Sequence, residues 1–135
     1  MIAYVLDACA VFALFQKHDP GHGAMQLHIK AHGKESAIHS LNLFEVYSKT
    51  MQKKGGHAAQ LVLDQLSLMG VTVVEELPAT LWQDGAWIRA TYGLYLADAI
   101  AWATARHFKA TLVTADHHGF EGPMKANVAK IYLFR

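Results

Sequence analysis

Four acidic residues lie in surroundings that do not suit an ordinary surface carboxylate. Asp7 follows Tyr4-Val5-Leu6 and precedes Ala8-Cys9-Ala10-Val11-Phe12. Asp98 sits among Leu94, Leu96, Ala97, Ala99, Ile100, Ala101, Trp102 and Ala105. Asp116 comes just after Thr-Leu-Val-Thr at 111–114, and Glu45 follows Leu43-Phe44. A carboxylate among apolar neighbours costs several kcal/mol unless a cation or metal neutralises it. Four that converge would repel one another and raise each other's pKa. A divalent cation removes that penalty, and an all-oxygen donor set suits Mg²⁺ or Mn²⁺, which keep several waters and share phosphate oxygens. Two such ions about 4 Å apart activate water and stabilise the leaving oxygen in phosphodiester cleavage. The chemistry would be hydrolysis with no nucleophilic side chain.

Each acid also has a plainer reading. Asp7 and Asp116 are placed to cap the helix or turn that follows. Asp98 in a helix's first turn complements the dipole. Asn42 with Glu45 fits a capping box, and Glu45 with Lys49 fits a helical ion pair. What favours a common site is their position relative to the elements.

Ile2 to Leu6 reads as a buried strand ending at Asp7, and Ala8 to Gln16 as a short apolar helix. Asp19, Pro20, Gly21 and Gly23 mark a loop, then a helix runs to His32 and Gly33 stops it. Ala37 to Ser40 is a strand candidate. Helical spacing covers Leu41 to Lys54, ended by Gly55-Gly56, and again His57 to Met69, ended by Gly70. Val71 to Glu75 is rich in β-branched residues and reads as a strand. Pro78 opens a helix to about Tyr92, stopped by Gly93. Leu96 to Phe108 is an Ala-rich helix, with strands at Thr111 to Thr114 and Ile131 to Phe134. Strands alternating with helices predict an α/β fold, a parallel sheet covered on both faces. Asp7, Glu45 and Asp116 then fall at the carboxyl edge of the sheet, where open parallel sheets bind ligands.

Composition sets the outer limits. The 135 residues suit one domain, 1–135, and at 53% apolar and 17% charged they support a buried core and exclude intrinsic disorder. The longest apolar run, Met1 to Phe15, is interrupted by Asp7 and lacks a secretory signal's basic head, so a soluble, cytoplasmic protein with no membrane association is expected. The single cysteine, Cys9, cannot form an intrachain disulfide, which suits a reducing compartment. A net charge of +1 gives no basic footprint for tight, sequence-blind nucleic-acid binding.

The fragments Tyr4-Val5-Leu6-Asp7-Ala8-Cys9-Ala10, Leu43-Phe44-Glu45-Val46, Leu94-Tyr95-Leu96-Ala97-Asp98-Ala99 and Leu112-Val113-Thr114-Ala115-Asp116 occur in an order and spacing that resembles the PIN-domain nucleases, in particular the single-domain toxins of VapBC-type toxin–antitoxin systems. The resemblance spans nearly the whole chain. It implies a three-layer α/β/α sandwich with a central parallel sheet, and Mg²⁺- or Mn²⁺-dependent cleavage of RNA. It also implies Asp7, Glu45, Asp98 and Asp116 as metal ligands, a partner antitoxin that blocks the site, and a homodimer. Thr114 matches a hydroxyl the family keeps beside the last Asp, where it orients a carboxylate or water. On this reading Asp7, Asp98 and Asp116 bind the main metal, and Glu45 supports the cluster or polarises the attacking water. Two departures stand out. Cys9 replaces the usual Ser or Thr two residues after the first Asp, and His117 and His118 follow Asp116 where relatives often carry an acid or polar residue.

Two rivals remain open at this point. One is a PIN-like chain without catalysis that binds RNA or protein. The other is a small α/β phosphotransferase with an aspartyl nucleophile at Asp7, although the chain lacks the second nearby acid expected there. Other features suggest less. His28 and His32 have helical metal-ligand spacing but no evident third ligand, and read as solvated surface residues. Lys49, Lys53 and Lys54 form a basic helix end. Trp82, Trp87 and Trp102 read as core or dimer-interface residues, and Cys9 as a small buried apolar one.

Overall fold

β-branched and aliphatic runs form the strands, and each is followed by a segment with helical spacing. The computed structural model describes residues 1–116, 119–120 and 130–135. Its strands are β1 (Tyr4–Leu6), β2 (Ser36–His39), β3 (Thr72–Val74), β4 (Thr111–Thr114) and β5 (Ile131–Leu133). The helices are α1 (Ala8–Phe15), α2 (His22–His32), α3 (Ser40–Lys54), α4 (Gly56–Leu68), α5 (Ala79–Tyr92) and α6 (Leu96–His107). The sheet is all parallel in the order β3-β2-β1-β4-β5. The chain therefore works outward from β1 to β3, then returns to place β4 on the other side of β1.

Successive residues of a strand point to opposite faces, and the core divides accordingly. Leu6, Ile38 and Val113 face α1 to α4 through Val11, Ile29, Leu43, Val46 and Leu66. Val5 and Leu112 face α5 and α6 through Leu81, Ile88, Ile100 and Trp102. Each fully buried side chain of this size contributes about 1.5–3 kcal/mol. The expected α/β architecture, a parallel sheet covered on both faces, is what forms. Its edge is the exception. Thr72 and Val73 of β3 are exposed, because an outermost strand lacks the second covering layer that β1, β2 and β4 receive.

Gly33 was expected simply to stop α2. The structure gives it another reason. It enters a short 3₁₀ turn, Gly33–Glu35, with right-handed backbone angles, and a Cβ there would strike the Met69 carbonyl oxygen. Close approach, rather than helix termination, requires glycine. Gly93, by contrast, ends α5 in the left-handed conformation with φ 70°, the usual glycine cap. No helix is long and apolar enough to cross a membrane, among the described residues.

Candidate active site

In a parallel sheet each connecting helix runs back against the strands, so helix N-termini gather at the carboxyl edge of the sheet. Here β1 and β4 are neighbours whose connections leave in opposite directions, the topology at which open parallel sheets bind ligands. Asp7 immediately follows β1, and its amide donates to the Val113 carbonyl of β4 at 3.3 Å. Its carboxylate caps α1, accepting from the Ala10 amide at 3.0 Å. The capping role is real, and it leaves Asp7 only 3% exposed.

Cys9, in the first turn of α1, and Thr114, the last residue of β4, brace this carboxylate. The Cys9 thiol donates to Asp7 Oδ1 at 2.9 Å, and its sulfur accepts from the Ala115 amide at 3.3 Å. Thr114 Oγ1 lies 3.6 Å from that sulfur and accepts from the Asp116 amide at 3.0 Å. Cys9 is thus a polar joint between β1 and β4 rather than the small apolar filler its burial suggested. Thr114 is fully buried, and its hydroxyl also hydrogen-bonds the Asp7 carboxylate. Asp116 Oδ1 accepts from the Gly119 amide at 2.9 Å, and a side chain at 119 would run into the same carboxylate. Gly119 is a supporting position that sequence reasoning missed; a glycine three residues after the Asp was its only signal.

Asp98 is half-buried in the first turn of α6. Burial raises its pKa to about 6, reinforced by the negative charges of Asp116, Asp7 and Glu45 in that order. Asp7 is likewise raised, first by burial, with a smaller push from Asp116; hydrogen bonds from Cys9, Thr114 and Ala10 oppose the rise. Asp98 is thus near enough to the other three to feel their charge, and Asp7 feels that of Asp116. Arg106 pairs with Asp84 at 2.9 Å instead of Asp98. Among the described residues no cationic side chain pairs with Asp7, Asp98 or Asp116. Glu45 differs, because Lys49 neutralises it at 3.1 Å, as its helical spacing predicted.

The expected capping box at Asn42 and Glu45 does not form. α3 begins three residues earlier than that box requires, at Ser40, and His39 caps it, its Nδ1 accepting from the Leu41 amide at 3.1 Å while Nε2 donates to the Glu76 carbonyl at 3.0 Å. Asn42 lies instead in the first turn, buried, its Nδ2 donating to the Ala97 carbonyl of α6 at 3.0 Å. That bond joins the turn preceding Glu45 to the turn carrying Asp98. His39 was missed and Asn42 was read only as a local cap, since their partners lie far along the chain. His117 and His118 lie outside the described residues.

Among the described residues, no three histidines, cysteines or acids are close enough to form a closed cage for an ion. The donor chemistry nevertheless fits a hydrated hard cation, because Mg²⁺ binds through one or two carboxylates and keeps its remaining waters. The histidines do not offer an alternative. His28 is buried, not solvated as expected, with Nε2 3.2 Å from the Ser36 hydroxyl and its ring edge-on to Tyr4.

Solved structures with the same fold come from toxin–antitoxin systems. A chain of a toxin–antitoxin complex from Klebsiella pneumoniae superposes with a TM-score of 0.78 at 20% identity, covering 98% of both chains. A chain of DNA-bound VapBC from Salmonella typhimurium gives 0.80 at 14% identity over the full length of both. The sarcin–ricin-loop-cleaving toxin VapC20 of Mycobacterium tuberculosis gives 0.69 at 16% identity, covering 93% of this chain and 95% of that one. No curated protein matches the sequence. The PIN domain family matches residues 4–122, a span that holds all four acids. This chain belongs to the PIN-domain family.

Proposed function

We propose that this protein is a metal-dependent endoribonuclease, the toxin of a toxin–antitoxin pair, with Asp7, Glu45, Asp98 and Asp116 as its active site. The observation that carries the reading is Asp98. Three other carboxylates press on it and no described cation neutralises it, an arrangement that a divalent ion resolves. The PIN family is typically metal-dependent, solved neighbours include toxin–antitoxin complexes, and another is a sarcin–ricin-loop-cleaving toxin.

Asp7, Asp98 and Asp116 would hold Mg²⁺ or Mn²⁺, which when bound lowers the pKa of water and stabilises charge on the phosphate. Asp7 is held in one orientation by Cys9, Thr114 and the Ala10 amide. Thr114 and the Gly119 amide orient Asp116. Glu45, tied to Lys49, stands at the margin, where it receives or relays a proton from water. Asp7, buried and already engaged as a cap, is poorly placed as a nucleophile, which disfavours the phosphotransferase alternative.

The toxin role brings an antitoxin and a second copy of the chain as partners. An apolar groove lined by Val11, Phe12, Val46 and Leu61 and rimmed by Lys49 and Lys53 suits an amphipathic acidic segment of the antitoxin. Trp82 and Trp87 are about half exposed on α5, unlike the buried Trp102, and suit a dimer contact. The test is cleavage of RNA by purified protein in Mg²⁺ or Mn²⁺. Wild type is expected to cut, and Asp98→Asn to be inactive while keeping its fold. Cleavage by Asp98→Asn at the wild-type rate would refute the proposal.

A further inference from the structure

Asn42 carries a contradiction that packing does not explain. It is 1% exposed in the first turn of α3, and Nδ2 donates to the Ala97 carbonyl at 3.0 Å. Its Oδ1 is fully buried and has no partner among the described residues. Turning the amide over does not help, because that would set Oδ1 against the Ala97 oxygen. Buried acceptors are almost always satisfied. A leucine of similar volume would fill the position without an unmet oxygen.

Its place in the site supplies the reason. Ala97 adjoins Asp98, and Asn42 lies three residues before Glu45, on the same side of α3. The single hydrogen bond between them bridges 55 residues of sequence and fixes the relative placement of two acids on separate helices. We infer that Asn42 is a positioning residue for the acid site, clamping Asp98's turn to Glu45's helix and reserving Oδ1 for a water that enters with the cation. This rests on the proposed four-acid site and deepens it. Outer partners of this kind set ligand geometry and hence metal affinity.

The test is Mn²⁺ titration by calorimetry, beside thermal unfolding in chelator, for wild type, Asn42→Leu and Asn42→Ser. Asn42→Leu is expected to unfold at or above the wild-type temperature without metal, since the unmet oxygen is gone. Its Mn²⁺ affinity is expected to fall about tenfold or more. Asn42→Ser, too short to reach Ala97, is expected to lose affinity as well. A structural asparagine predicts the reverse, lower thermal stability with unchanged Mn²⁺ affinity. Affinity within about twofold of wild type in a folded variant overturns the inference, and so does failure of both variants to fold. A wild type that takes up no Mn²⁺ overturns it together with the four-acid site. Tight wild-type binding that the variants share overturns Asn42's role alone.

Discussion

The two edges of the sheet collect titratable side chains in opposite ways. At the carboxyl edge, Asp7, Asp98 and Asp116 lie within electrostatic reach of one another, with no cation paired to them among the described residues. At the amino edge, where β1, β2 and β4 begin, Tyr4, His28, His32 and Tyr132 form a ring cluster. Tyr4 lies 4.7 Å from His28 and 4.8 Å from His32, and His28 stacks on Tyr132. The histidine pKa at 28 is lowered by burial and by His32, with Glu35 opposing. One edge holds acids that press on one another. The other holds rings that pack edge-on and face-on, with His28 Nε2 beside the Ser36 hydroxyl. Density of titratable residues does not mark a site; unneutralised charge does.

The largest effect that separates the edges is on cleavage. Asp7→Asn or Asp98→Asn is expected to lower the RNA cleavage rate on the order of a thousandfold, whereas His28→Phe leaves it within about twofold. Equal losses from both edges, in a gel-based cleavage assay, would erase the distinction.

Stability in the absence of metal should respond to pH with opposite sign at the two edges. Asp98 has a folded pKa near 6, above its ordinary value of 3.8. The folded state therefore binds more protons than the unfolded one between those limits, and stability falls as pH rises through that window. Asp98→Asn removes this cost, and chelated protein at pH 8 is expected to gain on the order of 1 kcal/mol after solvent screening. His28 behaves oppositely. Its folded pKa is lowered, so its contribution is complete above the ordinary histidine range and is lost as pH falls through it. Unfolding followed from pH 8 to 4 should show a shallower acid limb in His28→Phe, whereas Asp98→Asn should lack the wild-type gain as pH falls from about 6 towards 4. An Asp98→Asn curve parallel to wild type would show that the acids do not crowd.

The smallest expected effect concerns the sulfur joint. Cys9→Ser preserves a donor to Asp7 and should match wild type closely, while Cys9→Ala should lose about 1 kcal/mol and some Mn²⁺ affinity. Identical behaviour of the two variants would return Cys9 to the role of apolar filler.

Much of this was legible before any coordinates. β-branched runs and helical spacing give each strand and helix to within a residue or two, and Asp7 and Asp116 at strand ends pointed to one crevice once β1 and β4 proved adjacent. The supports were not legible, for a physical reason. His39 bonds Glu76, Asn42 bonds Ala97 and Cys9 bonds Ala115. Each partner is a backbone group whose position depends on tertiary packing, and no side-chain pattern announces it. Asn42 was misread because capping-box spacing is local and attractive, whereas the helix start was set by His39. His28 was misread because a polar helix face usually meets water, and here β1 and β5 supply aromatic neighbours.

A crystal grown or soaked in Mn²⁺, with anomalous scattering collected near the manganese edge, tests the central claim most directly. The account predicts a strong peak bounded by Asp7, Asp98 and Asp116, with Glu45 at its margin and ordered water completing the shell. A clear map with manganese bound elsewhere, or nowhere, and the three aspartates turned to separate surroundings would contradict it.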